Sequence, residues 1–313
     1  MYRFILRRLA MSVVVVFAVS LLTFLLEALV PGDAARTILG QNYTPQAYAQ
    51  LRAQLGLDRP LLVQYWDWLV GALHGNLGVS PISGLDVGSQ VVARLGVTLS
   101  LIVVTTLVAA VVGIVLGVLG AVRGGVLGKL VDVLSLVGFA LPAFWFGLVL
   151  VTVFAVSIRL LPATGYTAFA SSPSAWLHTI ILPVIALAVQ PIAVIAKQTR
   201  DGMSDTLRKD FVHSLRANGA SEFSVLFRHG LRNAAIPVVT VVGLMFVGLL
   251  NATVLVETVF AMPGLGGLAV QSSMQHDLPV IQGLAVAFTV IVVLVNLLVD
   301  LAYGWLNPKV RVA

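Results

Sequence analysis

The chain of 313 residues has no cysteine. That excludes a disulfide framework, a thiolate metal centre and a cysteine nucleophile. Charge is almost as scarce. Asp, Glu, Lys and Arg make up 10% of the residues, where soluble domains carry about a quarter. With 59% apolar residues and a mean hydropathy of +1.01, that deficit points to an all-α polytopic membrane protein. The net charge of +6 then belongs to basic loops meeting anionic lipid, and it argues against a nucleic-acid partner.

Further chemistry is missing. The nearest approach to a phosphate-binding loop is GVLGKL at 125–130. It has Arg123 where the upstream glycine is needed and Leu130 where Ser or Thr would bind magnesium. The five histidines, His74, His178, His213, His229 and His276, have no metal-ligand spacing. Nothing resembles a nucleophile elbow, which weakens an intramembrane hydrolase. Ionisable groups are also absent from mid-span, because Glu27, Asp132, Glu257 and Asp300 all fall near the ends of apolar runs. A self-contained, proton-coupled carrier needs a relay there. Energy for uphill transport must therefore come from a partner.

What the chain does have is six runs long enough to span a bilayer, each of about 20 residues or more. They are Leu9–Val30, Val97–Val122, Val131–Ile158, Trp176–Ala196, Ile236–Val256 and Val280–Tyr303. The first is longer than a signal-peptide core and lacks a cleavage site, so it reads as a retained span. If both termini are cytoplasmic, Arg36, Arg52, Arg59, Arg94 and Arg159 are the basic residues left outside, out of 19 in all. That asymmetry favours termini inside. The chain then divides into an N-terminal span (1–30), an extracytoplasmic helical segment (31–96), a core (97–304) with a cytoplasmic loop at 197–235, and a tail (305–313).

In the outer segment, Thr44 and Pro45 start a helix that Gly56 follows, and Pro60 starts another. Gly113, Gly117 and Gly120 suit ordinary close helix packing. Pro142, Pro183 and Pro191 break or kink spans and free carbonyls near a cavity. With Trp145, Gln190, Asn251 and Glu257, Pro142 is a candidate to line a polar path, although packing explains each of these residues as well.

The cytoplasmic loop carries the most information. DFVHSLRANG reads as a short helix ended by Gly219. Ser221 caps a second helix, with Glu222 in its first turn. Phe223, Leu226, Phe227, Leu231 and Ala234 form one apolar stripe at helical spacing, Arg228 and Arg232 lie one turn apart, and Pro237 marks entry to the fifth span. An amphipathic anchor fits this periodicity, but the glycine hinge favours a docking element that presents a blunt helix end.

At these residues, HSLRANG…RHGLRNAAIP, the chain resembles the permease subunits of bacterial ABC importers. The match is to the EAA motif of B-type dipeptide and oligopeptide permeases, which reads RTARAKG…RHALRNALIP. His213, Leu215, Asn218 and Gly230 depart from it. LGLDRPLLVQYWDWL…HGNLGVS, ETVFAMPGLGGL and NLLVDLAYGWLNPKVR resemble further stretches of that family, so the resemblance covers nearly the whole chain.

The resemblance implies a six-span type I importer permease (MetI-like) fold in the bacterial cytoplasmic membrane. It implies a non-enzymatic subunit with no cofactor of its own, since ATP and Mg2+ are held by partners. Those partners are a second, C-type permease subunit, two ABC ATPases and an extracytoplasmic substrate-binding protein. The coupling helix that docks on the ATPases would run from about Phe211 to Ala220. It includes Ser214, Leu215, Arg216, Ala217 and Gly219, with Glu222 beyond it and Arg228, His229 and Arg232 as a basic face. Peptides are the implied cargo. Nickel, glutathione and other small solutes use similar permeases.

Overall fold

A computed structural model describes residues 2–306. The tail at 307–313 lies outside the described residues. Among these the only β-pairing is an isolated bridge between Val79 and Asp86. Twelve α-helices, with one 3-10 and two π-helical segments between them, follow in order among the described residues. Five are long and apolar enough to cross a membrane, and a bent pair makes up to six.

The chain divides into two compact units, which interleave in sequence. One comprises Met1–Val97 with Pro263–Leu294, the other Thr98–Met262 with Val295–Ala313. This cuts across the blocks expected from the sequence, because the chain around the start of the last span packs with the N-terminal span and the outer segment.

In the first unit, α1 (Tyr2–Glu27) rests on α4 (Leu61–Leu73). Tyr65 of α4 is buried, with the rings of Phe24 and Phe17 at 5.5 and 6.1 Å, and its hydroxyl is 2.9 Å from Ser20 Oγ. Short helices α2 (Ala34–Leu39) and α3 (Pro45–Gln54) begin at side-chain caps. The Asp33 carboxylate accepts from Arg36 N, and Thr44 Oγ1 accepts from Ala47 N, which satisfies otherwise orphaned amides. Asp33 also accepts from Tyr48 and pairs with Arg52, which continues to Asp58.

The helix α11 (Leu265–Met274) and the start of α12 (Leu278–Leu306) complete this unit. Just ahead of α12, the buried Asp277 accepts a hydrogen bond from Ser80 Oγ. Ser80 Oγ in turn accepts from Ile82 N and Ser83 N. Burial pushes the Asp277 carboxyl above its ordinary value of 3.8, outweighing the opposing hydrogen bonds. The folded state therefore binds this proton more tightly than the unfolded chain. The cost of burying the charge is full above the raised pKa and is relieved as pH falls through it towards 3.8. Wild type should gain thermal stability over that window relative to Asp277→Asn. Melting curves of both proteins against pH check the difference, and parallel curves would refute it.

The second unit is built on α8 (Pro173–Leu207), which packs against α6 (Gly125–Ala140), α7 (Ala143–Leu150) and α10 (Arg232–Val259). Its 35 residues measure about 52 Å, well beyond the roughly 30 Å of bilayer hydrocarbon. The span expected to end near Ala196 thus continues eleven residues as helix. Thr199, Met203 and Thr206 remain buried there, so one packed face carries on after the hydropathy falls.

Prolines act differently by position. Pro183 and Pro191 lie inside α8 without ending it. Pro142 follows Leu141 at φ −81°, ψ 118°, the extended geometry a following proline favours. The third apolar run is therefore a 95° break between Val131–Ala140 and Ala143–Ser157. Its far end, Val151–Ser157, is π-helical.

The helix α5 (Val87–Arg123) brings Gly113, Gly117 and Gly120 against α8. Ala109, Ile195 and Val238 form a buried cluster there, joined by Ile114, Ile192, Val241 and Val242.

Candidate functional site

The region 197–235 is not a loose loop. Its first part is the end of α8. There Arg200 Nη1 donates to Gly128 O at 2.8 Å and pairs with Asp132. Lys197 adds contacts to Asp201 at 3.1 Å and Asp132 at 3.8 Å. Asp132 and these basic residues, which look like separate membrane-flanking charges in sequence, tie α6 to α8. Nothing local in the sequence signals a pairing across some seventy residues.

After Arg208 and Lys209 the chain re-enters helix as α9, Asp210–Ala217. It starts one residue before the expected Phe211–Ala220 and ends three residues before it does. Val212 is wholly buried and anchors it, while Phe211 is 40% exposed. Ser214, Arg216 and Ala217 are exposed and Leu215 is half-buried. Asn218 is the C-cap, and Gly219 follows at φ +80°. Ala220 N donates to Leu215 O at 3.0 Å, and Gly219 N to Arg216 O at 3.0 Å. This is a Schellman motif, in which a left-handed residue lets two amides close over the last turn. Two of the four positions that depart from the family pattern, Leu215 and Asn218, supply an acceptor and the cap, and both roles use backbone groups.

The turn is also braced by side chains. Arg216 Nε and Nη2 donate to the two Glu222 oxygens at 2.7 and 3.1 Å. That fork raises the Arg216 pKa and lowers that of Glu222, in each case chiefly through the shared hydrogen bonds. By local pattern Arg216 belongs to a docking face and Glu222 to a helix dipole. The structure joins them across Gly219.

Ser221 begins the next helix, its Oγ accepting from Ser224 N at 3.3 Å. This helix is not separate from the fifth span. It runs as a π-helical segment, Ser224–Leu231, straight into α10, and Pro237 lies within the helix. The expected stripe of Phe223, Leu226, Phe227, Leu231 and Ala234 is correspondingly split. Val225, Gly230 and Ala234 are buried, a spacing of five then four that suits a π turn followed by an α turn. Phe223 and Phe227 stack on each other, 4.7 Å between centroids, and stay 73% and 45% exposed. Gly230 sits so close to α8 that an added Cβ would lie 3.2 Å from Met203 Cε. Gly202 faces Ala234 in the same way. Arg228 and Arg232 are exposed and His229 is half-buried.

The path candidates differ in burial. Pro142, Trp145 and Asn251 are exposed on the chain and Gln190 is half-buried. Glu257 is only 1% exposed and accepts from Thr98 Oγ1 at 2.6 Å.

Together these features give a short helix, bounded by α8 on one side and a braced glycine turn on the other, with a buried anchor and an exposed end.

Comparison with known proteins bears on this arrangement. Residues 111–312 match the model of the binding-protein-dependent transport system inner membrane component, and residues 1–102 match the N-terminal model of the same kind of membrane component. A relative from Sinorhizobium fredii, named "Probable peptide ABC transporter permease protein y4tP", is 40% identical over 98% of this chain and 99% of its own. The dipeptide transport system permease protein DppB of Escherichia coli K12 is 38% identical over 99% of both. Among solved structures, a chain of the inward-facing MetNI methionine ABC transporter aligns with TM-score 0.56 and 17% identity, over 69% of this chain and 96% of that one. This last likeness concerns the fold.

Proposed function

The chain belongs to the family of binding-protein-dependent transport system inner membrane components, and from that membership we propose that it is the permease subunit of an ATP-driven ABC importer for dipeptides and oligopeptides. The near full-length relatives named as peptide permeases support the cargo. The observation that carries the mechanism is the braced turn after α9. One of the two partner ATPases engages the exposed face of α9 and the turn after it, with Phe211, Ser214, Leu215, Arg216, Ala217, Gly219 and Ala220, and with Glu222 holding Arg216 from across the turn. Their closure on ATP and Mg2+ pushes α9. Because α8 is packed to the segment at 225–234, the push passes to both spans that flank the loop.

In this reading both termini are cytoplasmic, as the basic residues suggest. Arg228, His229 and Arg232 meet lipid phosphate or acidic groups of the ATPase. A second, C-type permease completes the pathway, and Pro142, Trp145 and Asn251 face it from the surface of this chain, with Gln190 behind them. Glu257 fixes the end of α10 through Thr98. An extracytoplasmic binding protein delivers the peptide. Reconstitution of all four components in liposomes should give ATP-dependent dipeptide uptake, and the chain alone should be inert. Uptake by the chain alone, driven by an ion gradient, would overturn the reading.

A further inference from the structure

The unit formed by residues 1–97 and 263–294 encloses a cavity of about 480 Å³, within the range typical of small-ligand sites. It lies where α1 ends and α12 begins, with Glu27 the last residue of α1 and Gln282 in the second turn of α12. Both are ends of membrane-spanning stretches, so the cavity opens near one membrane face. Phe24, Leu57, Trp68 and Pro279 supply apolar wall.

Most of the charge around it is answered. Arg52 pairs with Asp33 and Asp58, and Arg59 with Asp67 at 2.7 Å. Two acceptors are not. Glu27 Oε1 and Gln282 Oε1 are buried and have no hydrogen-bond partner. Gln282 is wholly enclosed, and its Nε2 donates to Ser20 O at 3.1 Å. That bond fixes the amide and leaves its oxygen without a donor. The basic side chain paired with Glu27 is His276, its Nδ1 at 3.8 Å, beyond hydrogen-bond reach. The ring lies close against Gly32, where an added Cβ would be 2.7 Å from His276 Nε2. Buried polar atoms are almost always satisfied. A carboxylate oxygen and an amide oxygen left unsatisfied in two residues that line one cavity call for a cationic group rich in N–H donors. A primary ammonium has three such donors and a full charge.

We propose that this cavity binds a primary ammonium group, with Glu27 as its counter-charge and Gln282 as a second acceptor. The group can come from two sources, an ethanolamine lipid headgroup or a free amine such as the N-terminus of a short peptide. The proposal concerns binding by this chain alone and does not depend on the transport reading.

The test uses the full chain in nanodiscs. In phosphatidylcholine discs, calorimetry compares dialanine with N-acetyl-dialanine. In mixed discs, native mass spectrometry compares retained phosphatidylethanolamine with phosphatidylcholine. The expected result is at least a tenfold preference for the primary amine in one arm, and that arm identifies the source. Glu27→Gln, which keeps the shape, should abolish the preference, as should Gln282→Met. If the second variant fails to fold by circular dichroism, the first decides. No preference in either arm, the outcome for a cavity holding only water, overturns the proposal. So does a preference that survives Glu27→Gln.

Discussion

Gly219→Pro is expected to abolish ATP-driven uptake while leaving the membrane bundle folded. Gly219 sits at φ +80°, and proline is locked near −65°. The substitution also deletes the amide that donates to Arg216 O, and with the turn reset Ala220 N loses Leu215 O. The residue before proline is pushed out of helical geometry, yet Asn218 is the C-cap at φ −85°, ψ 10°. Backbone and side-chain bracing therefore fail together, because the Arg216–Glu222 fork spans the same turn. None of these groups reaches the buried spans, and a side chain at Gly219 meets open space. Gly219→Asn is the control. Asparagine tolerates the left-handed conformation and should retain most uptake. Uptake and ATP hydrolysis measured on the same reconstituted complex decide the matter. The proline variant should hydrolyse ATP with uptake reduced to background, and normal uptake by a folded variant would sink the coupling role of this turn.

The contrast between Gly219 and its surroundings shows what a sequence can carry. Signals written within one or two turns of chain were legible. Thr44 and Pro45 start α3, Ser221 caps the next helix, and Gly219 ends α9. The extension of α8 was missed because hydropathy stops at Lys197 while the buried stripe of Ala196, Thr199 and Met203 does not. The split apolar stripe was missed because a 3.6-residue period was assumed where Ser224–Leu231 is π-helical. Pairings such as Ser80 with Asp277 and Arg200 with Asp132 join distant parts of the chain and leave no local pattern at all. Residue type marks the path candidates, but it does not say which side of a helix faces the bundle. Glu257 and Asn251, on one helix, came out enclosed and exposed respectively.

Gly117→Leu should have the largest effect on stability. An added Cβ at Gly117 would lie 2.5 Å from Thr199 Cβ, 2.6 Å from Ala196 O and 3.0 Å from Arg200 N. Two of those neighbours are backbone atoms of α8, which cannot turn aside as a side chain can. Gly113, one turn earlier, meets Ile195 at 2.8 Å, so the two helices are in contact over more than a turn. Replacing helical Gly by Ala normally favours the helix by about 1 kcal/mol, whereas overpacking costs about 1–3 kcal/mol or more. At Gly117 the second effect wins, so even Gly117→Ala should lower the melting temperature. Leucine adds three further carbons to the same gap and should prevent α5 from seating. The same comparison gives the control. Gly248, in α10, has nothing within 4 Å of an added Cβ, and Gly248→Ala should be neutral or mildly stabilising. Thermal unfolding in detergent, with monodispersity by size-exclusion chromatography, reads all three variants. Because Arg200 lies at the Gly117 contact and also pairs with Asp132, loss of this seat should also loosen α6 from α8. A Gly117→Leu protein that melts with wild type would show that α5 does not press on α8 here.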